Sequence, residues 1–113
     1  MKIPGINVTD KSRKIKYTLV FEKKKDMKYI AHLDLMNLFR RAVRRADLPF
    51  YLTEGFTPRI KISMPEALKL GVESDNETLS LWLTEGIAPE KLSDLLNEQL
   101  PRGVRILSGA VSG

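Results

Sequence analysis

A single histidine and a block of arginines hold most of the chemistry this sequence could perform. His32 stands in Ala31-His32-Leu33-Asp34, and Arg40, Arg41, Arg44 and Arg45 follow within two helical turns. Farther on, Glu54-Gly55-Phe56-Thr57-Pro58-Arg59 joins a glycine, an aromatic, a proline and a further arginine, and Lys61 follows two residues later. His32 and Asp34 are two positions apart, and residues at i and i+2 of a helix do not face each other, which argues against a local His–Asp dyad. A solitary histidine needs a nucleophile or a second acid–base group to do catalysis, and none stands at motif spacing. Two readings of His32 remain: a histidine at the core edge, or a ligand contact that could donate a proton. The arginines point elsewhere. Arg40/Arg44 and Arg41/Arg45 are like-charge i, i+4 pairs, each costing a few tenths of a kcal/mol in an isolated helix. Four guanidinium groups so crowded favour an anionic partner, and their fork geometry matches phosphate; an acidic protein or a merely solvated face are the competing readings. In the loop, Gly55 permits a positive φ and Pro58 fixes the chain. Phe56 either plugs the core beneath it or stacks on a ligand.

Composition narrows the class. A chain of 113 residues, 42% apolar and 29% charged, is one globular domain large enough to bury a core without staples. It has no cysteine, which excludes disulfides, zinc fingers, iron–sulfur ligation and thiol nucleophiles from these residues. With one histidine besides, no metal site or cofactor is expected. The net charge of +5 is uneven: residues 1–63 hold 15 Lys and Arg against 6 Asp and Glu, whereas residues 64–113 hold 4 against 8. A basic half favours polyanions, nucleic acid first, and the acidic half argues against indiscriminate coating. The first residues show no apolar signal segment and no run reaches membrane-spanning length, so a cytoplasmic protein without membrane contact is expected.

The elements that must position these residues follow from periodicity. Residues 1–13 read as a flexible lead-in. From Lys14, Ile15, Tyr17, Leu19 and Phe21 alternate with Lys14, Lys16, Thr18 and Val20, predicting a half-buried strand that ends in a solvated loop, Lys23-Lys24-Lys25-Asp26. At 100° per residue, Leu35, Met36, Phe39, Ala42, Val43 and Ala46 fall within about 120°, with the arginines opposite and His32 on the apolar stripe. This helix is expected to stop before Pro49. Ala31 offers no side-chain cap, while Asp34 suits the helix dipole and could reach back to an open amide. Residues 48–59 read as a connection, 59–64 as a second strand, 65–76 as a long turn and 79–84 as a third strand, with Trp82 on its outer face. A second helix starts at Ala88-Pro89-Glu90, buries Leu92, Leu95, Leu96 and Leu100, and is stopped by Pro101 and Gly103. Val104 to Leu107 supply a short fourth strand, and the domain is drawn from residue 14 to 108, with 109–113 as a disordered or truncated tail. The order β-α-β-β-α-β predicts an α+β, ferredoxin-like fold: an antiparallel sheet in order 4-1-3-2 with two helices on one face.

Several ordered motifs carry a resemblance. Ala31-His32-Leu33-Asp34-Leu35-Met36, the arginine run ending in Leu48-Pro49, Glu54-Gly55-Phe56-Thr57-Pro58-Arg59, Ile62-Ser63 and Leu70-Gly71-Val72-Glu73-Ser74 together resemble the radical-SAM-linked domain of unknown function. The resemblance spans about Lys14 to Leu107. It implies a partner module fused to, or encoded beside, bacterial radical SAM proteins of the B12-binding type. It marks His32, Asp34, Gly55, Phe56, Pro58, Ser63, Gly71 and Glu73 as family-motif positions. Ala31, Glu54 and Thr57 stand where the family pattern has Ser, Gln and Asn. Glu54 adds a negative charge to the loop, and the family's greater usual length implies that this chain is the N-terminal part. Lacking cysteines, the chain cannot hold the cluster of a radical SAM enzyme. It is therefore expected to be no enzyme itself, but an accessory module that binds RNA (tRNA or rRNA) or another anionic substrate for such a partner. Arg40, Arg41, Arg44, Arg45, Arg59 and Lys61 would carry the anion. The alternative is a protein-interaction module that docks the radical SAM enzyme through Trp82 or the arginines without nucleic acid.

Overall fold

Alternation along Ile15–Lys23 sends Tyr17, Leu19, Phe21 and Lys23 to one side and leaves the intervening residues partly solvated, and this strand, β1, is the centre of the fold. The computed structural model describes residues 13–65 and 70–112. Around β1 stand α1 (His32–Arg45), β2 (Ile62–Ser63), β3 (Ser74–Leu83), α2 (Pro89–Asn97) and β4 (Val104–Ser112). The four strands form one antiparallel sheet in the order β2-β3-β1-β4. The ferredoxin-like α+β arrangement expected from the sequence, with its strand order, is what the chain adopts. The expected lead-in lies, apart from Arg13, outside the described residues.

The core lies between one sheet face and both helices. Leu35, Phe39, Ala42 and Val43 of α1 and Leu92 and Leu96 of α2 share one buried cluster with Tyr17, Leu19, Phe21, Leu79, Leu81, Leu83, Val104 and Ile106. Phe39 meets Phe21 edge to face, centroids 4.9 Å apart, a geometry worth about 0.5–1.5 kcal/mol beyond area burial. The buried Tyr17 hydroxyl donates to the Ile87 carbonyl (2.7 Å) and accepts from the Ile87 amide (2.6 Å), so its polar group is satisfied. Asn97, closing α2, makes the paired bonds of a strand neighbour with the backbone of Ile106 (3.0 and 2.7 Å).

Several expectations are corrected. Lys23 is not in a solvated loop: it is the last residue of β1, 1% exposed, and its ammonium donates to the Lys28 carbonyl at 3.4 Å. Lys25–Tyr29 then forms a short 3-10 helix. β4 does not end at Leu107: pairing continues to Ser112, opposite Lys16, and Leu107 is the extra residue of a bulge between the Val20–Ser108 and Phe21–Ile106 pairs. The residues read as a disordered tail are therefore strand as far as Ser112. Their Gly, Ala and Ser composition hides them, and Gly109 suits its place, since a Cβ there would lie 2.7 Å from Leu19 Cδ2 and would force that side chain to shift. β2 is shorter than expected. Residues 49–61 do not merely connect; they fold back on themselves. Tyr51 donates to the Trp82 carbonyl, Lys61 to Tyr51, and Trp82 to Lys61 (3.0, 2.8 and 3.3 Å), so two adjacent segments share the edge of β3.

Candidate anion groove

The groove is built by the end of α1 and the hairpin that follows it. α1 ends through its own backbone: Asp47 turns left-handed (φ 57°), Asp47 N–H donates to the Arg44 carbonyl and Leu48 N–H to that of Val43. This is the Schellman arrangement, with buried Leu48 as its apolar anchor. The helix thus ends at Arg45, with three residues between it and Pro49, and the proline rule is not what stops it. Arg44 and Arg45 lie in its last turn, where the negative end of the helix dipole favours cations. That offsets part of the repulsion inherent in the arginine spacing.

After Pro49 the chain returns to α1. Thr53 N–H donates to the Arg59 carbonyl (2.8 Å) and Arg59 N–H to the Thr53 hydroxyl (3.0 Å), closing the loop 54–58. Pro58, Arg59 and Ile60 then face Asn37, Arg40, Arg41 and Arg44 across a groove of about 410 Å³. Arg40 bridges its two walls: Nε donates to the Ile60 carbonyl (3.1 Å) and a terminal nitrogen to the Asn37 side-chain oxygen (3.2 Å). Partial burial, and then the charge of Arg59, push the Arg40 guanidinium below its ordinary value. The groove is therefore a place where positive charge is already disfavoured and an anion would relieve it. The Arg44 guanidinium lies 5.9 Å from the centre of the Phe50 ring, a weak cation–π contact.

The structure divides the sequence-derived set. Arg40, Arg41, Arg44 and Arg59 converge on the groove with Pro58. Arg45 is exposed and does not line it, and Lys61 lies over the Trp82 ring on the other side of the sheet. Phe56, at the tip of the loop, is fully exposed beside Gly55 (φ 125°), so the reading in which it plugs the core is overturned. Asn37 joins the arginines here, as its i, i+3 spacing to Arg40 allows.

Other motif residues hold the scaffold. Glu73 accepts from the Lys25 backbone amide (2.7 Å), and that bond together with Lys24 and Lys28 holds its carboxyl below the ordinary range. Gly71 (φ 82°) donates to the Lys28 carbonyl and lies against the Tyr29 ring. The 70–74 motif thus clasps the 3-10 helix; it lines no part of the arginine groove. Ser63 is exposed in β2 opposite Ser80. Asp34 is exposed and does not cap α1, which begins without any side-chain cap. His32 is half-buried and its Nδ1, buried, has no hydrogen-bond partner among the described residues. Among those residues no group of three or more His, Asp or Glu could hold a metal ion, and no helix is long and apolar enough to cross a membrane.

Comparison with known proteins adds a family and one relative. Residues 16–112 match the family described as an uncharacterized protein conserved in bacteria, DUF2344. An arginine–tRNA ligase of Micrococcus luteus is 37% identical over 73 residues, which is 64% of this chain and 13% of that protein. The chain thus spans a small fraction of that relative's length. No solved structure matches.

Proposed function

This chain belongs to the DUF2344 family of uncharacterized proteins conserved in bacteria, and we propose that it is a non-catalytic module that binds RNA through the arginine groove. The observation that carries this is convergence: three arginines from one helix and a fourth from a loop meet across one cleft, with an exposed Phe56 at the end of that loop. Guanidinium forks suit phosphate oxygens, and an exposed aromatic ring suits an unpaired base. The ligase similarity, though it covers little of that protein, is to an enzyme whose name places it on tRNA. We further propose that the bound tRNA or rRNA is presented to a radical SAM partner, as the sequence resemblance implies; the chain has no cysteine to hold a cluster.

The test is fluorescence anisotropy of labelled bulk tRNA with the purified chain at low and moderate salt. Three to four phosphate contacts predict that log K falls with log salt at a slope of about −2 to −3. Arg41→Glu with Arg44→Glu should abolish binding without unfolding the domain. Salt-independent binding, or full affinity in that double variant, would refute the groove as the site. A second reading rests on a separate observation. Tyr29 (61% exposed) lies against Gly71, and Leu70 and Val72 on either side of that glycine are 64% and 50% exposed, an apolar patch suited to a protein partner. Under that reading the chain co-purifies with the radical SAM protein and carries no RNA.

A further inference from the structure

Trp82 is the sole tryptophan of the chain, and it stands on the sheet face opposite the helices. Its neighbours Leu81 and Leu83 are wholly buried on the helix side, whereas Trp82 is only half-buried. The strands on either side each present a lysine to it. Lys16 is its direct partner on β1, and from the other side the Lys61 carbonyl accepts a hydrogen bond from the Trp82 amide. The two ammonium groups lie 5.6 and 4.8 Å from the centre of the ring. Next to it, Tyr51 donates its amide to the Trp82 carbonyl and carries the Lys14 ammonium 5.2 Å from its own ring centre. The Trp82 ring and three lysines thus occupy one end of a face that no described helix covers, with the Tyr51 ring buried beside them.

From this arrangement we infer that the helix-free face around Trp82 is a second nucleic-acid contact, one that takes an unpaired base on the indole and its flanking phosphates on Lys16 and Lys61. The inference rests on the RNA reading above and narrows it to RNA with single-stranded segments. A lysine over an indole at a solvated site is held weakly, so a base can take its place while the ammonium swings to phosphate. A base paired within a duplex is already stacked and cannot reach the ring. The two contacts are joined by the chain itself. Arg59 of the groove and Lys61 of the platform are two residues apart in the extended segment that leads into β2, about 7 Å, so one RNA strand can pass around the hairpin and meet both.

Because the indole is unique, its emission in the unmodified protein reports on this face directly. The protein is titrated with a labelled single-stranded oligoribonucleotide, with a duplex of the same length and with inorganic polyphosphate, reading label anisotropy and Trp82 emission together. The single strand should quench Trp82, while duplex and polyphosphate leave it nearly unchanged. Lys16→Gln with Lys61→Gln, both on exposed or half-exposed side chains, should weaken the single strand about tenfold, and Trp82→Ala by a similar factor, what one base–aromatic stack contributes. Salt-sensitive binding with unchanged Trp82 emission and full affinity in the lysine variant would overturn the platform while leaving the groove standing. Equal quenching by polyphosphate would overturn base stacking. Absence of binding in both readouts would remove the groove reading, and this inference with it.

Discussion

Arg40 and Arg41 are adjacent, identical in type and both in the groove, yet they should behave differently when replaced by alanine. Arg40 is partly buried and ties α1 to the hairpin through the Ile60 carbonyl and Asn37. A hydrogen bond from a charged donor contributes about 1.5–3 kcal/mol when well shielded. Solvent reaches this guanidinium, and its repulsion from Arg59 is relieved on removal, so about 1–1.5 kcal/mol is the expected loss. For a domain of this size that lowers Tm by about 4–6 °C. Arg41 is exposed and anchors nothing among the described residues, so Arg41→Ala should stay within about 0.5 kcal/mol. The assay is thermal unfolding followed by circular dichroism, with tRNA anisotropy on the same samples. Arg41→Ala should weaken tRNA by about fivefold at unchanged Tm, the loss of one phosphate contact. An Arg41→Ala Tm as low as that of Arg40→Ala, or an unchanged Arg40→Ala, would refute the assignment of Arg40 as the strut and Arg41 as the free contact.

Three further outcomes are expected. Gly103→Ala should cost more than about 2 kcal/mol in denaturant unfolding, since φ is 98° and the new Cβ would lie 2.7 Å from both the Lys24 carbonyl oxygen and Met27 Cγ; Gly55→Ala, with open space around it, should cost only its backbone strain. Glu73, whose carboxyl titrates below its ordinary value of 4.5 in the folded chain, contributes stability that is complete above that value and is lost as pH falls through the depressed one. Glu73→Gln should therefore lower Tm at pH 7 and flatten its decline below about pH 4.5, and an acid limb identical to that of the wild type would contradict this. Phe56→Ala should leave Tm unchanged, because the ring is outside the core, while weakening RNA measured by anisotropy.

Much of the fold could be read from local pattern. The alternation of Tyr17, Leu19 and Phe21 and the stripe of Leu35, Phe39, Ala42 and Val43 repeat at the periods their elements impose, and burial follows. β4 beyond Leu107 was illegible because its pairing depends on a partner 94 residues away in sequence, seen in the Thr18–Ser112 hydroxyl contact (2.9 Å), and its small residues have no strand signature. The burial of Lys23 escapes local pattern for a related reason: a lysine run looks solvated until the 3-10 helix supplies a carbonyl to receive the first ammonium.

The order of the elements, the apolar side of α1 and the lack of thiol chemistry follow from the residues alone. Which cations act together depends instead on long-range folding. Arg59 and Lys61 are two residues apart, yet one belongs with α1 and the other with Trp82 and Lys16. That division is set by the return of residues 49–61 along β3, a long-range backbone pairing whose geometry no local periodicity encodes.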